Sequence, residues 1–472
     1  MNQTLPNPMA LALHLAFQAG AWTSPNPMVG CVIAREAGGG QWEVLAHGFH
    51  ERCGLAHAEV QALAQFRELP ADRRDGAVLF VTLEPCAHTG RTGPCAEAIV
   101  QSGIRRVEIA AADPNPTAQG GAARLKAAGI EVIWGNLFQA AVELNAGFFL
   151  KHLERRPFVL AKWAMTADGK IATATGDSRW VSGRAARAGV MRMRASCDAV
   201  MVGLGTVRKD DPQLTARVEG AHQPLRVIVD THLQIPPAAN VLFGPGSRRM
   251  PDPLARLNAA AARIAAAGRP AGESAPSAAA SGRAASLGTD LPSSAEAGAQ
   301  SGGAGGSGQS GGGRAVAGIA GGCVVATGPG VDPARRDAVL ETGAEIWELP
   351  LFEGRVDLAR LLQELLARRQ VASVLVEGGP TVLGSLFDRG LVDRVAAYLA
   401  PKVLGGAGPS AVGGGGRGTM GESVALTDSH FEQIGEDMLL IGKARDWNWL
   451  KNWEMETRRR AAETGRWIDR GA

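Results

Sequence analysis

A histidine, an acid and two cysteines stand in an order that can hold a metal and move protons: His57-Ala58-Glu59, then Pro85-Cys86, then Cys95. Imidazole nitrogen and thiolate sulfur are ligands that zinc favours, and a catalytic zinc keeps its fourth position for water. One His and two Cys leave that position open. Water on such an ion has a pKa of about 7, so hydroxide is at hand at neutral pH. Glu59 follows the His by two residues. It is expected to shuttle a proton from that water to a departing amine without touching the metal, which is the chemistry of zinc deaminases on nitrogen heterocycles. An HAE triplet alone is more often a helix start, and a structural zinc site would want a fourth protein ligand. The three pieces in this order favour a catalytic centre.

The elements around these residues read as alternating helices and strands. Helices are expected over 9–18, 58–68, 95–102 and 122–128, and strands over 29–34, 77–83, 107–111 and 131–134. Such alternation implies an α/β layer fold. It puts His57 and Cys95 at helix starts and Cys86 just beyond the strand AVLFVTL, where a helix N-terminus favours a thiolate. A second unit starts near Pro157 with the strand FVLAKWAM. Strands over 199–202, 225–230 and 371–376 follow, with helices over 184–194, 358–368 and after Pro380. The expected division is 1–149, 150–445 and a tail at 446–472.

Two stretches depart from this pattern. Residues 248–322 are Ala-rich and then Ser/Gly-rich, as in SGGAGGSGQSGGGR, and carry too little apolar surface to offset ordering. They read as a disordered surface insertion, which a domain tolerates because closure cost grows only logarithmically with length. The tail holds Trp447, Trp449, Trp453 and Trp467 and the run Arg458, Arg459, Arg460. An amphipathic helix packed on the domain or a partner is the plain reading, and a membrane-surface or nucleic-acid role the sharper one.

Bulk properties narrow the class. The chain has 472 residues, 45% hydrophobic and 20% charged, enough for two or three soluble domains. Its formal net charge is +3, too small to argue for nucleic acid. The apolar stretch 9–16 contains His14 and falls far short of the roughly 20 residues that span a bilayer. No basic segment precedes it, so no secretory signal is read. Six cysteines in so long a chain suggest reduced thiols in the cytoplasm, with Cys31 and Cys53 as small packed residues.

Eight residues separate the two metal cysteines, where many nucleoside and tRNA deaminases have two. The segments SPNPMVGCVI (24–33), GLAHAEVQAL (54–63), VTLEPCAHTGRTGPC (81–95) and DPNP (113–116) resemble the deaminase half of the bifunctional riboflavin-biosynthesis deaminase–reductases. The resemblance implies a cytidine-deaminase-like three-layer fold and removal of the ring amino group from 2,5-diamino-6-(5-phosphoribosylamino)pyrimidin-4-one. Carried over by position, it implies a substrate pocket lined by Asn26, His50, Glu84, His88, Arg91, Asp113 and Asn115. Asn26 and Asn115 are also strong turn formers. His88 and Arg91 suit a phosphate or polar substrate.

A second group of segments resembles the reductase half of the same family, which is dihydrofolate-reductase-like. These are LAKWAMTADGKIATATGDSRWVSG (160–183), VGLGTVRKDDPQLTAR (202–217), RVIVDT (226–231), VLVEGGPTVLGSL (374–386) and APKVLGG (400–406), in the family order on both sides of the insertion. No strand–GxGxxG–helix unit stands out. The Gly pair before Pro380 lies between a strand and a helix, where backbone amides suit a pyrophosphate. The resemblance implies NADPH contacts at Ala164, Trp180, Thr206, Asp210 and Thr231, and along Gly379, Pro380, Thr381, Val382, Leu383, Gly384 and Ser385. It implies substrate contacts at Ser178, Arg194, Leu214, Arg217 and Glu377, with Lys162 and Lys170 beside the ribosyl group. Arg194 and Arg217 are apt because a guanidinium grips phosphate bidentately; a solvated surface face is the plain alternative for Arg194.

The expected enzyme is therefore zinc- and NADPH-dependent, acts on a small phosphoribosylaminopyrimidine, and is a homo-oligomer without nucleic-acid or membrane partners. A zinc deaminase of nucleosides or tRNA, and a non-catalytic zinc scaffold, remain the alternatives.

Overall fold

The computed structural model describes residues 4–88, 93–244 and 321–469. Arg91 and all but the last two residues of the expected insertion lie outside them.

The first sheet has seven strands in the order Thr4–Leu5, Gln41–Phe49, Gly30–Gly38, Ala77–Leu83, Arg106–Ala111, Glu131–Trp134, Arg466–Trp467. Its first four strands pair antiparallel and its last four parallel. Ala77–Leu83 is buried along its whole length, as a run apolar but for Thr82 requires of a central strand covered on both faces. The helix Pro8–Gln18 is started by Asn7, whose side chain accepts from Met9 N at 3.0 Å, with Pro8 in the first turn. It lies so close to the sheet that a Cβ at Gly30 would sit 1.9 Å from Ala12 O. The sequence reading missed Gln41–Phe49, which forms a hairpin with Gly30–Gly38 through Gly38, Gly39 and Gly40, all at positive φ.

The second sheet has nine strands in the order Glu345–Glu348, Cys323–Thr327, Leu225–Val229, Ala199–Gly203, Ser373–Val376, Phe158–Thr166, Arg394–Ala400, Asp437–Lys443, Thr427–Ile434. The first seven are parallel, and the last two close the edge antiparallel. Leu225–Val229 and Cys323–Thr327, which flank the undescribed stretch, are neighbours in the sheet. Gly321 N donates to Gln223 O at 3.3 Å and Arg226 Nη2 to Gly321 O at 2.8 Å. Arg226 also donates to Phe243 O, so the described chain on the two sides of the stretch comes together at one side chain.

The tail is a helix packed on the chain's own core, as its plain reading expects. Asn448–Thr464 is a helix, and Arg466–Trp467 adds a parallel strand beside Glu131–Trp134. Trp447, Trp449, Trp453 and Ala461 are buried in the same hydrophobic cluster as the first sheet and its helices. Trp449 stacks on Phe149 with centroids 6.3 Å apart and on Trp447 at 5.2 Å. Both ends of the chain thus build one core. The tryptophans supply the apolar face, and Arg458 and Arg459 are paired on the outside with Glu454, Asp469, Glu456 and Glu463. Among the described residues, no helix is long and apolar enough to cross a membrane.

Candidate functional sites

Three side chains from three elements meet at the first site. His57 precedes the helix Ala58–Arg67, Cys86 follows the strand Ala77–Leu83, and Cys95 opens the helix Cys95–Val100. His57 Nδ1 lies 3.2 Å from Cys95 Sγ and 3.7 Å from Cys86 Sγ. All three donor atoms fall within 4.8 Å of one another, and among the described residues no fourth His, Cys, Asp or Glu joins them. Cys95 N donates to Cys86 Sγ at 3.4 Å, the helix-start amide the sequence led us to expect. The Cys95 thiol, donating to Cys86, holds the latter's pKa down to about 4 despite burial, and the same contact pushes Cys95 up. One thiolate is thus already favoured at neutral pH. The hydrogen bond with Cys86 raises His57.

Glu59 sits in the first turn of its helix, 3% exposed. Burial lifts its pKa above that of an ordinary glutamate. The site's flank comes from the turn before Gly30–Gly38. Asn26 Nδ2 is 3.2 Å from His50 Nε2, and His50 packs edge-on against His57 with centroids 5.4 Å apart. Burial lowers the His50 pKa, and its Nδ1 lies 3.1 Å from Ala56 O.

A second flank is tied together by Glu84. Its carboxylate accepts from Asp113 N at 3.3 Å, Gly120 N at 3.0 Å and Ala122 N at 3.2 Å. The helix Gly121–Ala127 approaches so closely that a Cβ at Gly121 would sit 1.8 Å from Pro85 O, beside Cys86. Asn115 N donates to Asp113 Oδ1 at 2.8 Å. Burial first, then the nearby Glu84 and Cys86, raise the Asp113 pKa to about 7. The structure therefore gathers Asn26 and His50 on one side and Glu84, Asp113 and Asn115 on the other. His88 is exposed at the edge of the undescribed 89–92. Sequence reasoning missed Arg460, whose Nη1 lies 3.4 Å from Glu84 Oε2; only a run of three arginines marked it.

The second site lies along the carboxyl ends of the parallel strands, where open α/β sheets bind ligands. The helix Leu204–Asp210 follows Ala199–Gly203, and Pro380–Asp388 follows Ser373–Val376. Their first turns approach each other: a Cβ at Gly379 would come 3.6 Å from Thr206 Oγ1. This turn brings Thr206, Gly379, Pro380 and Thr381 together, with Thr231 just beyond Leu225–Val229 and Ala164 on Phe158–Thr166. The expected contacts further along the helix are placed differently. Leu383 and Gly384 face inward, Leu383 fully buried, and a Cβ at Gly384 would meet Gly413 C at 2.3 Å; Val382 is 6% exposed, while Ser385 is half-buried. Side chains at 382 and 383 are core residues here because a nine-residue helix must bury one face.

Glu377 anchors the polar part of this site. Arg194 Nε donates to Glu377 Oε1 at 2.6 Å and Arg194 Nη2 to Oε2 at 3.1 Å, while Nη1 reaches Thr215 O at 3.2 Å. Lys162 Nζ lies 4.0 Å from Glu377 Oε2 and 5.7 Å from the Tyr398 ring centroid. Burial lowers the Lys162 pKa; burial also opposes ionisation of Glu377, but Arg194 and Lys162 outweigh it and leave Glu377 lowered. Arg194 is 9% exposed, so a solvated face is the wrong description of it. Its two-pronged grip is occupied by Glu377, whereas Arg217 is exposed. Leu214, at φ 55°, is buried next to Thr215. Ser178 and Trp180 lie on the loop before the helix Arg184–Ser196; Trp180 is 63% exposed under Arg187, whose guanidinium is 4.6 Å from its ring centroid. Asp210 closes its helix, with its carbonyl oxygen 3.4 Å from Arg179 Nη2. Lys170 is half-buried on the strand-end turn, its amide donating to Thr166 Oγ1 at 3.0 Å.

Comparison with known proteins matches both halves. Residues 3–111 match the cytidine and deoxycytidylate deaminase zinc-binding region, and residues 157–250 and 323–440 match the RibD C-terminal domain. The riboflavin biosynthesis protein RibD of Actinobacillus pleuropneumoniae is 34% identical over 434 residues, 92% of this chain and 93% of that protein. The RibD of Aquifex aeolicus is 33% identical over 93% of this chain and 98% of its own length. Among solved structures, Acinetobacter baumannii RibD is 29% identical with a TM-score of 0.66, covering 92% of this chain and 97% of that one. A diaminohydroxyphosphoribosylaminopyrimidine deaminase/5-amino-6-(5-phosphoribosylamino)uracil reductase from Thermotoga maritima is 28% identical with a TM-score of 0.64, covering 92% and 97%.

Proposed function

The chain belongs to the RibD family, the bifunctional deaminases and reductases of riboflavin biosynthesis, and we propose that zinc serves its first site and NADPH its second. The proposed deaminase substrate is 2,5-diamino-6-(5-phosphoribosylamino)pyrimidin-4-one. Water replaces its ring amino group, giving 5-amino-6-(5-phosphoribosylamino)uracil and ammonia. The ribosyl group of that product is then reduced to ribityl.

The observation that carries this reading is the convergence of His57 Nδ1, Cys86 Sγ and Cys95 Sγ within 4.8 Å. The donor set fits zinc: one imidazole, one thiolate already favoured and a second thiol beside it. These three residues would hold the ion, and zinc, when bound, supplies a water of lowered pKa. Glu59 does the proton work. Burial makes its carboxyl hold a proton more readily than a surface glutamate would, which suits a group that takes a proton from water and passes it to the departing amine. His50 and Asn26 form one wall for the pyrimidine, and Asp113 and Asn115, fixed by Glu84, form the other. His88 and Arg91 border the entrance from the cysteine loop.

For the reduction, NADPH carries the hydride and the chain orients it toward C1′ of the opened ribosylamine. The two helix starts at Thr206 and at Gly379–Pro380 suit the cofactor's pyrophosphate. Ala164, Trp180, Asp210 and Thr231 flank the rest of its path. Glu377, held by Arg194 and Lys162, meets the sugar hydroxyls, and Arg217 and Ser178 meet the phosphate. On this reading the enzyme works on small molecules in the cytoplasm as a homo-oligomer.

Zinc-loaded enzyme given the diaminopyrimidine should release ammonia, and added NADPH should then be oxidised. Turnover of cytidine or of adenosine in tRNA, with none of the phosphoribosyl pyrimidine, would overturn the assignment.

A further inference from the structure

Neither proposed activity uses the C-terminal tail, and the match to the RibD C-terminal domain ends at residue 440. Yet the tail reaches the deaminase site. Arg460, on the helix Asn448–Thr464, points its Nη1 between Glu84 Oε2 and the Asp113 carbonyl oxygen, 3.4 Å from each. Its side chain is 17% exposed and that of Glu84 is 3%. Arg460 is itself held from its own helix: Nε donates to Glu456 Oε1 at 3.0 Å, and the guanidinium lies 5.1 Å from the Trp453 ring centroid. Trp453 in turn donates its Nε1 hydrogen to Ala112 O at 3.2 Å.

These contacts converge on one loop. Glu84 pins residues 113, 120 and 122 through their amides, so one carboxylate fixes both ends of the segment carrying Asp113 and Asn115. A carboxylate buried this deeply calls for a cationic partner, because removing one member of a buried pair leaves an uncompensated charge. Arg460 sits where that partner is needed, and it touches the loop backbone as well. Its neighbours are unlike it: Arg458 and Arg459 face outward and pair only within the tail.

We propose that Arg460 is a positioning residue of the deaminase, reaching from the last helix of the chain to lock Glu84 and the loop 112–122 in the geometry that receives substrate. The tail is then the clasp of the first active site. This rests on the reading of Asp113 and Asn115 as a substrate wall.

The test uses the full-length zinc-loaded enzyme with Arg460→Met, Arg460→Lys and, as control, Arg459→Met. Deamination kcat and KM are measured together with zinc content and the NADPH-dependent reduction. Arg460→Met should raise the deamination KM about fivefold to tenfold with kcat changed less than about twofold, the signature of lost substrate binding. Zinc content and reduction should stay as in wild type, Arg460→Lys should recover most of the loss, and Arg459→Met should match wild type. An unchanged KM in Arg460→Met overturns the proposal. So does a joint fall of kcat, zinc content and reduction that Arg460→Lys leaves uncorrected, since that marks general destabilisation. A wild-type enzyme that fails to deaminate overturns the functional reading itself; an active wild type with an indifferent Arg460→Met overturns only the role of Arg460.

Discussion

The two sites balance charge in opposite ways. At the first, a thiolate at Cys86, a second sulfur at Cys95 and the buried acid Glu59 gather beside His57, with His50 packed edge-on against it. At the second, Glu377 is matched on the spot by the two prongs of Arg194 and by Lys162. On the proposed reading the first cluster gains its counter-charge from zinc. The second already holds its own cations as folded, Arg194 and Lys162 beside one carboxylate, and needs its ligands only for the reaction. The first site should therefore respond sharply to metal and to single ligand changes, and the second should respond to loss of an ion-pair partner. The two sets of side chains come from different sheets, so each should fail alone.

The largest break in that comparison is Cys86→Ser. It should abolish zinc binding and deamination while leaving reduction of the deaminated product within about twofold of wild type, read by metal analysis and two separate assays. Glu59→Gln should follow: deamination falling about 10³-fold with zinc retained, since a positioned acid–base group contributes about 10²–10⁴. An unchanged rate there would favour a zinc scaffold. Third, Arg194→Met leaves the Glu377 carboxylate with only the more distant Lys162, and reduction should drop at least about tenfold with deamination untouched; Arg194→Lys, keeping charge but losing the fork, should fall between.

The smallest expected effect is one of pH. The folded Asp113 carboxyl has its pKa raised from 3.8 to about 7, chiefly by burial. A raised pKa means that the folded state favours the protonated form. Its contribution to stability is therefore full below the unfolded value and is lost as pH rises through about 7. Asp113→Asn should flatten that decline. Its melting temperature relative to wild type should be higher at about pH 8 than at about pH 5, by a few degrees, in thermal unfolding; the same offset at both pH values would contradict the buried-acid account.

The first site was largely legible because its information is local. Three ligands and the proton carrier fall within two short segments, and each lands on the element end expected of it: His57 before a helix, Cys86 after a strand, Cys95 at a helix start. The reductase strands were legible for a related reason. Parallel strands buried on both faces read as continuous apolar runs, so 199–202, 225–230 and 371–376 were found to within a residue or two of Ala199–Gly203, Leu225–Val229 and Ser373–Val376. The hairpin strand Gln41–Phe49 was missed, although three glycines followed by alternating apolar residues carried its signal. What could not be read was anything decided by distant packing. Arg194 has the same letter whether it faces water or Glu377, and nothing near Trp453 says that it will meet Ala112. The inward turn of Val382 and Leu383 is likewise set by the core they enter rather than by the Gly-Gly-Pro motif before them.

The most direct test of the central claim is zinc-edge X-ray absorption on the zinc-loaded enzyme, paired with metal stoichiometry. One zinc per chain is expected, with two sulfurs at about 2.3 Å, one nitrogen at about 2.0–2.1 Å and one further light atom from solvent. A shell closed by a fourth protein ligand, or zinc bound equally well by the Cys86→Ser variant, would contradict it.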